Sequence, residues 1–223
     1  TAGNTGSSGT TANFTIDTTA PTAAITYTGG SSPYLAGETV KITATFNGPV
    51  LDSPVPTIAI AGSGIANVTS TNMARTSTTV YTYSYSVPTG DGTGTVTVGT
   101  GTDAAGNIVT ATPTSGATFT VDNTAPSLTQ VTAVVTPSNN TTPSYVFTTG
   151  EAGTITSSLS FSSTTSATTG SNQTITFSTL SEGTYSPTVT VTDAAGNFGT
   201  ITISPFTIDT TAPTVSSFTI SDT

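Results

Sequence analysis

Aspartate recurs along the chain inside two short repeated strings, and these aspartates are the residues best suited to chemistry. The string TDAAGN occupies residues 102–107 and 192–197, and the strings DTTAP, DNTAP and DTTAP occupy residues 17–21, 122–126 and 209–213. Carboxylate and turn carbonyl groups offer oxygen atoms, which are the ligands that hard divalent cations take. The two strings therefore mark candidate ligand positions, provided that the fold brings them together.

The rest of the composition excludes most other kinds of site. The 223 residues include no His, Cys or Trp, and 2 Lys plus Arg stand against 11 Asp plus Glu, for a formal net charge of -9. A Ser-His-Asp or Cys-His nucleophile, a metal site with nitrogen and sulfur ligands, and a disulfide therefore cannot form. A basic groove for nucleic acid is also excluded, and no run of 18 apolar residues is present to span a membrane.

Short alternating runs predict the elements that must position these aspartates. The chain contains 60 Thr and 28 Ser, and residues that favour strands outnumber those that favour helices. Apolar and polar residues alternate in residues 39–46, 81–87, 175–177, 189–191 and 201–203. A period of two is typical of antiparallel strands with one buried face. The sequence therefore predicts an all-β fold without helices.

The repeated strings also divide the chain into domains. FTIDTTAPT at residues 14–22 returns unchanged at 206–214, and FTVDNTAPS stands between them at 119–127. The spacings of 105 and 87 residues each suit one β-sandwich of about 100 residues. The predicted divisions are 1–19 (last strand of a preceding repeat plus linker), 20–122 (domain 1), 123–209 (domain 2) and 210–223 (linker and first strand of a following repeat).

These strings resemble the tandem bacterial Ig-like repeats of prokaryotic cell-surface proteins and adhesins. The resemblance extends to residues 37–50, which are similar to the second strand of one subfamily, and to residues 136–155, which are similar to a related subfamily. It implies Ig-like sandwiches arranged head to tail as a rod, with calcium stiffening the joints. The subfamily strand usually ends in Ser-Glu-Pro-Val, whereas residues 47–50 read Asn-Gly-Pro-Val, so the loop carboxylate is missing there.

The resemblance also predicts which aspartates meet. In an Ig-like sandwich the last hairpin lies at the pole where the chain enters, so each TDAAGN turn should face the linker before it. We expect Asp103 near Asp17, and Asp193 near Asp122 and Glu151. Carboxylates that converge without basic partners repel one another unless a divalent cation lies between them. Calcium suits such a site better than magnesium, which requires a tighter octahedron and several waters. An Asx-type turn is the alternative, and it is compatible with a bound cation. The predicted calcium ligands are Asp17, Asp52, Asp103, Asp122, Glu151, Asp193 and Asp209.

Together these features predict two seven-stranded Ig-like sandwiches in a structural protein that is not an enzyme. It would be a calcium-stiffened spacer, a building block of a filament or surface layer, or the stalk of an adhesin. A glycosidase also uses two carboxylates, but it needs them in a cleft, whereas these lie on linkers and hairpin tips. The alternative is a glycan- or protein-binding module, which would expose an aromatic or apolar patch. The candidates for such a patch are Tyr81, Tyr83 and Tyr85, but they lie on the same side of the predicted strand as Val87, which favours packing in the core.

The expected location is extracellular, at the cell surface. The expected partners are neighbouring Ig-like repeats or copies of the chain itself, with a host or surface ligand at a distal end. Residues 1–18 and 213–223 would each carry one strand whose domain is missing, so we expect the natural protein to be longer than 223 residues. Exchange of these strands between molecules is the alternative.

Overall fold

The computed structural model describes residues 15–220, and these divide into two compact units. Unit 1 contains residues 15–32 and Ala36–Val121, and unit 2 contains Pro33–Leu35 and residues 122–220. Every regular element in the described range is a β-strand, which confirms the all-β fold class. Between residues 15 and 220 there is no helix with the length and apolar character needed to cross a membrane.

Unit 1 is built from two antiparallel sheets of four strands each. One sheet has the order β1-β2-β6-β5 and the other has the order β4-β3-β7-β8. The strands are β1 (Ala23–Thr28), β2 (Thr39–Phe46), β3 (Thr57–Ala61), β4 (Val68–Asn72), β5 (Ala74–Arg75), β6 (Val80–Ser86), β7 (Gly92–Gly99) and β8 (Thr118–Val121).

The two sheets of unit 1 enclose a common core of apolar side chains. The ring of Phe119 in β8 lies 5.4 Å from that of Tyr85 in β6 and 5.6 Å from that of Tyr27 in β1, so it joins one sheet to the other. The sequence correctly predicts which side chains face the core, because Ile42 and Tyr81 are fully buried and Lys41 is exposed. Tyr81 and Tyr85 therefore pack in the core, and they do not form an exposed strip for stacking on sugars.

Unit 2 contains two larger antiparallel sheets and one pair of strands. The sheet orders are β13-β10-β9, β12-β11-β15-β16 and β14-β17. The strands are β9 (Leu128–Thr132), β10 (Ser144–Thr149), β11 (Gly153–Ser157), β12 (Ser166–Ala167), β13 (Asn172–Thr176), β14 (Gly183–Tyr185), β15 (Thr188–Thr192), β16 (Phe198–Thr202) and β17 (Phe206–Ile208).

The core of unit 2 takes side chains from all three sheets. Phe147 of β10, Val191 of β15 and Phe206 of β17 are at most 1% exposed and belong to one cluster. Gln173 is a buried polar residue, and its side-chain amide donates hydrogen bonds to the backbone carbonyls of Thr168 and Ser171, each at 3.1 Å. Its polar group is thus satisfied by the turn that precedes β13.

The described range contains eight strands in unit 1 and nine in unit 2, where seven were expected in each. Strands β5 and β12 have two residues each. A period of two cannot be recognised over so short a run, so these strands escape sequence analysis. They pair at the edges of their sheets, where a short strand leaves little free edge for association with other chains.

The segments at the two ends of the described range form no strand. Residues 15–22 and 209–220 are irregular, and Ile16, Val215, Phe218 and Ile220 are each at least 75% exposed. The strand predicted around Phe14 lies outside the described residues, as do residues 221–223. That these segments belong to neighbouring repeats stays a prediction.

Candidate functional site: the aspartate turns and the segments before them

The turn at residues 103–107 is closed by the carboxylate of Asp103. Its Oδ1 accepts hydrogen bonds from the backbone N–H groups of Ala105 and Asn107, each at 2.9 Å, and its Oδ2 accepts one from Asn107 Nδ2 at 2.9 Å. Gly106 has a φ of 90°, which an L side chain rarely adopts. In this Asx-type turn, Asp103 thus accepts the hydrogen bonds, Gly106 adopts the left-handed backbone, and Asn107 donates to the carboxylate.

The turn at residues 193–197 repeats this arrangement in unit 2. Oδ1 of Asp193 accepts hydrogen bonds from the N–H groups of Gly196 at 2.7 Å and Asn197 at 2.9 Å, and Oδ2 accepts one from Asn197 Nδ2 at 2.9 Å. Gly196 has a φ of 101°. The same five letters therefore give the same turn in two different sandwiches.

Each turn is bonded to the aspartate segment at the start of its own unit. Asn107 Nδ2 donates to the backbone carbonyl of Asp17 at 3.1 Å, and Asn197 Nδ2 donates to that of Asp122 at 3.0 Å. The structure thus places Asp103 beside Asp17 and Asp193 beside Asp122, as the sequence predicts. The link between them is made by an asparagine side chain.

The three aspartate segments share a second, local feature. Oδ1 of Asp17, Asp122 and Asp209 accepts the backbone N–H of the residue two positions on, at 2.9, 3.1 and 3.0 Å respectively. Each segment therefore begins with an Asx turn, followed after two residues by Ala-Pro. This turn fixes the direction in which the chain continues towards the proline.

The segment that begins at Asp209 forms hydrogen bonds with Glu182 and Ser138. Both Thr210 and Thr211 donate side-chain hydrogen bonds to Oε2 of Glu182, at 3.1 and 2.8 Å, and the N–H of Asp209 donates to the carbonyl of Ser138 at 2.9 Å. These hydrogen bonds lower the pKa of Glu182. In unit 1, the hydrogen bonds from Asn107 similarly lower the pKa of Asp103, against a smaller opposing effect of burial.

Asp52, which the sequence predicts as a calcium ligand, forms an ion pair and a hydrogen bond within unit 1. Its Oδ2 forms an ion pair of 2.6 Å with Arg75 Nη1, and its Oδ1 accepts a hydrogen bond from the Tyr81 hydroxyl at 3.3 Å. The guanidinium neutralises the carboxylate, so the structure gives Asp52 a local structural role, in fastening its loop to strands β5 and β6. The sequence analysis missed Arg75 because the two residues are far apart in sequence.

Glu151 lies in the loop between β10 and β11, next to the strand that leads into the Asp193 turn. The Thr149 hydroxyl donates to the backbone carbonyl of Glu151 at 2.8 Å, and Asp193 borders a cavity of about 300 Å³ with Ala152 and Gly153. In unit 1, Asp17 and Asp103 border a cavity of about 200 Å³ with Asn47. Each turn therefore adjoins a depression in the surface.

Comparison with known families finds one match, which lies within the second of the two units. Residues 125–210 match the family model of the bacterial Ig-like domain. This part of the chain is similar to the bacterial Ig-like domain. The matched range includes the Asp193 turn and ends one residue after Asp209, whereas Asp122 lies just before it.

Other comparisons are more distant. The chain is similar to the solved structure of the Yersinia pseudotuberculosis adhesin InvE, with a TM-score of 0.30 and 14% sequence identity over 83% of this chain and 58% of that one. The chain thus spans less than two thirds of the length of that protein. No curated protein matches the chain.

The acidic side chains around the two aspartate turns are the ones that the sequence predicts as calcium ligands. Calcium takes six to eight oxygen ligands, but residues 15–220 contain no group of three or more acidic side chains placed to hold a metal ion. Moreover, the carboxylates of Asp103 and Asp193 each accept three hydrogen bonds within their turns. Calcium binding at these positions stays a prediction.

The residues that sequence analysis missed are Asn107 and Asn197. Asparagine is common in turns because its side chain bonds to nearby backbone, so the asparagine at the end of TDAAGN predicts only a local hydrogen bond. The available signal was the recurrence of asparagine at the same position in both copies of the string, since the Asx turn itself needs only the aspartate.

Proposed function

We propose that this chain is a structural spacer segment of a bacterial cell-surface protein, built from successive Ig-like domains. The observation that carries the proposal is the shared latch, in which the turn asparagine of each unit bonds to the aspartate segment before it. A latch at the point where the chain enters the domain limits the freedom of the connecting segment. Such a restriction suits a part that keeps other domains apart.

The exposed face of one sheet in unit 1 supports a spacer over a binding module. The outer face of β7 and β8 presents the exposed residues Thr93, Thr95, Thr97, Thr118 and Thr120. These side chains are small and uncharged, and they offer no aromatic platform for a sugar ring. A binding module would instead expose a contiguous apolar or aromatic patch.

The proposal covers several assemblies in which the chain would serve as a spacer. The stalk of an adhesin, a filament and a surface layer all need repeated domains joined end to end, and neighbouring Ig-like repeats or copies of the chain would be the partners. Calcium would add stiffness only if a cation joins the latch, whereas the hydrogen bonds of the latch restrain the segment without one. An enzymatic role has no support in the site geometry.

Antibody labelling and a binding screen test the proposal together. Antibodies raised against the chain should label intact cells of the source organism, and arrays of glycans and of extracellular proteins should show no saturable binding. When the chain is pulled by its ends, a spacer made of two units should unfold in two separate events. Labelling that requires permeabilised cells would contradict the surface location, and saturable binding lost on changing an exposed sheet face would favour the binding module.

A further inference from the structure

We propose that Asn107 and Asn197 take the place of a cation, so that each aspartate segment is latched to its Ig-like unit without metal. The inference concerns how the segment is held, and it stands whether or not the chain serves as a spacer. It goes against the calcium-bound joint that the sequence predicts, and it rests on where the hydrogen-bond donors lie.

The atoms around each side-chain amide show why a donor is needed. In unit 2, Nδ2 of Asn197 lies 2.9 Å from Oδ2 of Asp193 and 3.0 Å from the backbone carbonyl oxygen of Asp122. An ionised carboxylate and a carbonyl can only accept hydrogen bonds. Two acceptors that face one point need either a donor or a positive ion between them, and the two N–H groups of one amide supply both donors.

The orientation of the amide follows from the same chemistry. An asparagine side chain turned by 180° would place Oδ1 against two other oxygen atoms, with no proton to share among the three groups. The orientation with Nδ2 inward is therefore the one that satisfies both acceptors. A cation at this point would have to displace the amide nitrogen or turn the side chain round.

Charge supplies a second argument. A neutral amide bridges the two oxygen atoms without adding charge, and the carboxylate of Asp193 already accepts the N–H groups of Gly196 and Asn197. Hydrogen bonds to an ionised acceptor are about twice as strong as those between neutral groups. The carboxylate of Asp193 thus accepts hydrogen bonds from three N–H groups, none of which belongs to a basic residue.

The arrangement occurs independently in both units. The corresponding distances around Asn107 are 2.9 Å to Asp103 Oδ2 and 3.1 Å to the carbonyl oxygen of Asp17. Residues 47–50 of unit 1 include no acidic residue, whereas unit 2 has Glu151 in its loop, yet the two latches agree to within 0.1 Å. The distances around the turn asparagine therefore do not depend on a loop residue such as Glu151, which a calcium site would use as a ligand.

Hydrogen exchange of the whole chain, followed by NMR, tests the proposal. The amide protons to observe are those of Thr19 and Thr124, which bond to the carboxylates of Asp17 and Asp122. Exchange is measured with calcium in excess and with a chelator. The amide of Ile155, in the core of unit 2, reports in the same spectra whether the sandwich remains folded.

Three variants of unit 2 sharpen the test. Asn197→Ala removes both donors and should speed the exchange of Thr124 about tenfold, with or without calcium. Asn197→Asp places a third oxygen group against two acceptors, so exchange should be fast in the chelator and should slow again when calcium is added. Asn140→Ala is the matched control, because Asn140 is exposed and forms a local Asx turn with Thr142; it should leave Thr124 unchanged.

The unmodified chain provides the decisive comparison, because its result does not depend on whether any variant folds. Equal exchange of Thr19 and Thr124 in calcium and in chelator supports a latch without metal. Slower exchange in calcium overturns the proposal, as does Asn197→Ala with no effect on Thr124 while Ile155 stays protected. Failure of calcium to slow exchange in Asn197→Asp also contradicts the idea that the amide stands where a cation would bind.

Discussion

The side-chain nitrogen of Asn197 lies 3.0 Å from the backbone carbonyl oxygen of Asp122, although 75 residues separate the two in the sequence. A contact between residues so distant in sequence forms only when the sandwich is complete, because β9 to β15 lie between them. The fold of the unit and the position of its entering segment are therefore coupled. A change that breaks this hydrogen bond should therefore affect both the stability of the unit and the position of its entering segment.

The carboxylate of Asp193 should matter more to stability than that of Asp209. Asp193→Asn replaces an ionised acceptor of three hydrogen bonds, so we expect unit 2 to lose about 1–3 kcal/mol of unfolding free energy. Asp209→Asn is the matched control, since its side chain accepts the single N–H of Thr211, and its effect should be smaller. Urea unfolding of the two variants measures both changes, and equal losses would contradict the role assigned to the turn.

Acid should weaken the chain through Asp103 and Glu182. Hydrogen bonds from Asn107 to Asp103, and from Thr211 and Thr210 to Glu182, lower the pKa of both carboxyl groups below their ordinary values of 3.8 and 4.5. A lowered pKa contributes stability that is present above the unfolded-state pKa and is lost as the pH falls through the folded-state value. The unfolding free energy should therefore fall below about pH 4.5.

Urea titrations between neutral and acidic pH measure this dependence. Asp103→Asn and Glu182→Gln should each make the decline shallower, because each removes one group that must be protonated. A decline that is equally steep in both variants would show that other groups cause the acid sensitivity.

The left-handed backbone at Gly106 predicts a clear cost for a side chain. A Cβ at this position would meet no atom within 4 Å, so the cost of Gly106→Ala comes from its φ of 90° alone and should be about 1–2 kcal/mol. Gly48→Ala is the control in the same unit, because it is also open but lacks a positive φ. Thermal unfolding should show a lower midpoint for the first variant only.

The hydroxyl of Tyr145 is buried and has no hydrogen-bond partner among the described residues, and burial raises the pKa of this group. Removing an unsatisfied buried hydroxyl should leave stability unchanged or increase it. Tyr145→Phe is therefore expected to be neutral or stabilising. Tyr81→Phe should instead cost about 1 kcal/mol, because the equally buried Tyr81 hydroxyl donates to the Val50 carbonyl. Denaturant unfolding that shows the reverse order would contradict this account.

Much of the fold could be predicted from the sequence, because the alternation in residues 39–46 and 81–87 states directly which side of each strand faces the core. The resemblance to Ig-like repeats led to the expectation that each turn aspartate lies near a preceding aspartate segment, and the hydrogen bonds of Asn107 and Asn197 connect the two in each unit. The asparagine latch could not be predicted, since an asparagine at the end of a turn looks the same whether or not it reaches a distant carbonyl. The pairing of Asp52 with Arg75 likewise depends on how two separate strands and a loop pack.

The most direct test of the latch is the exchange of the side-chain amide protons of Asn107 and Asn197 with solvent, observed by NMR in the intact chain. Asn140, whose side-chain oxygen is the atom engaged in its own turn, serves as an internal reference. The latch predicts that the amide protons of both turn asparagines exchange far more slowly than those of Asn140, with and without chelator. Exchange as fast as that of Asn140 would show that these amides do not bridge the carboxylate and the carbonyl, and would contradict the account.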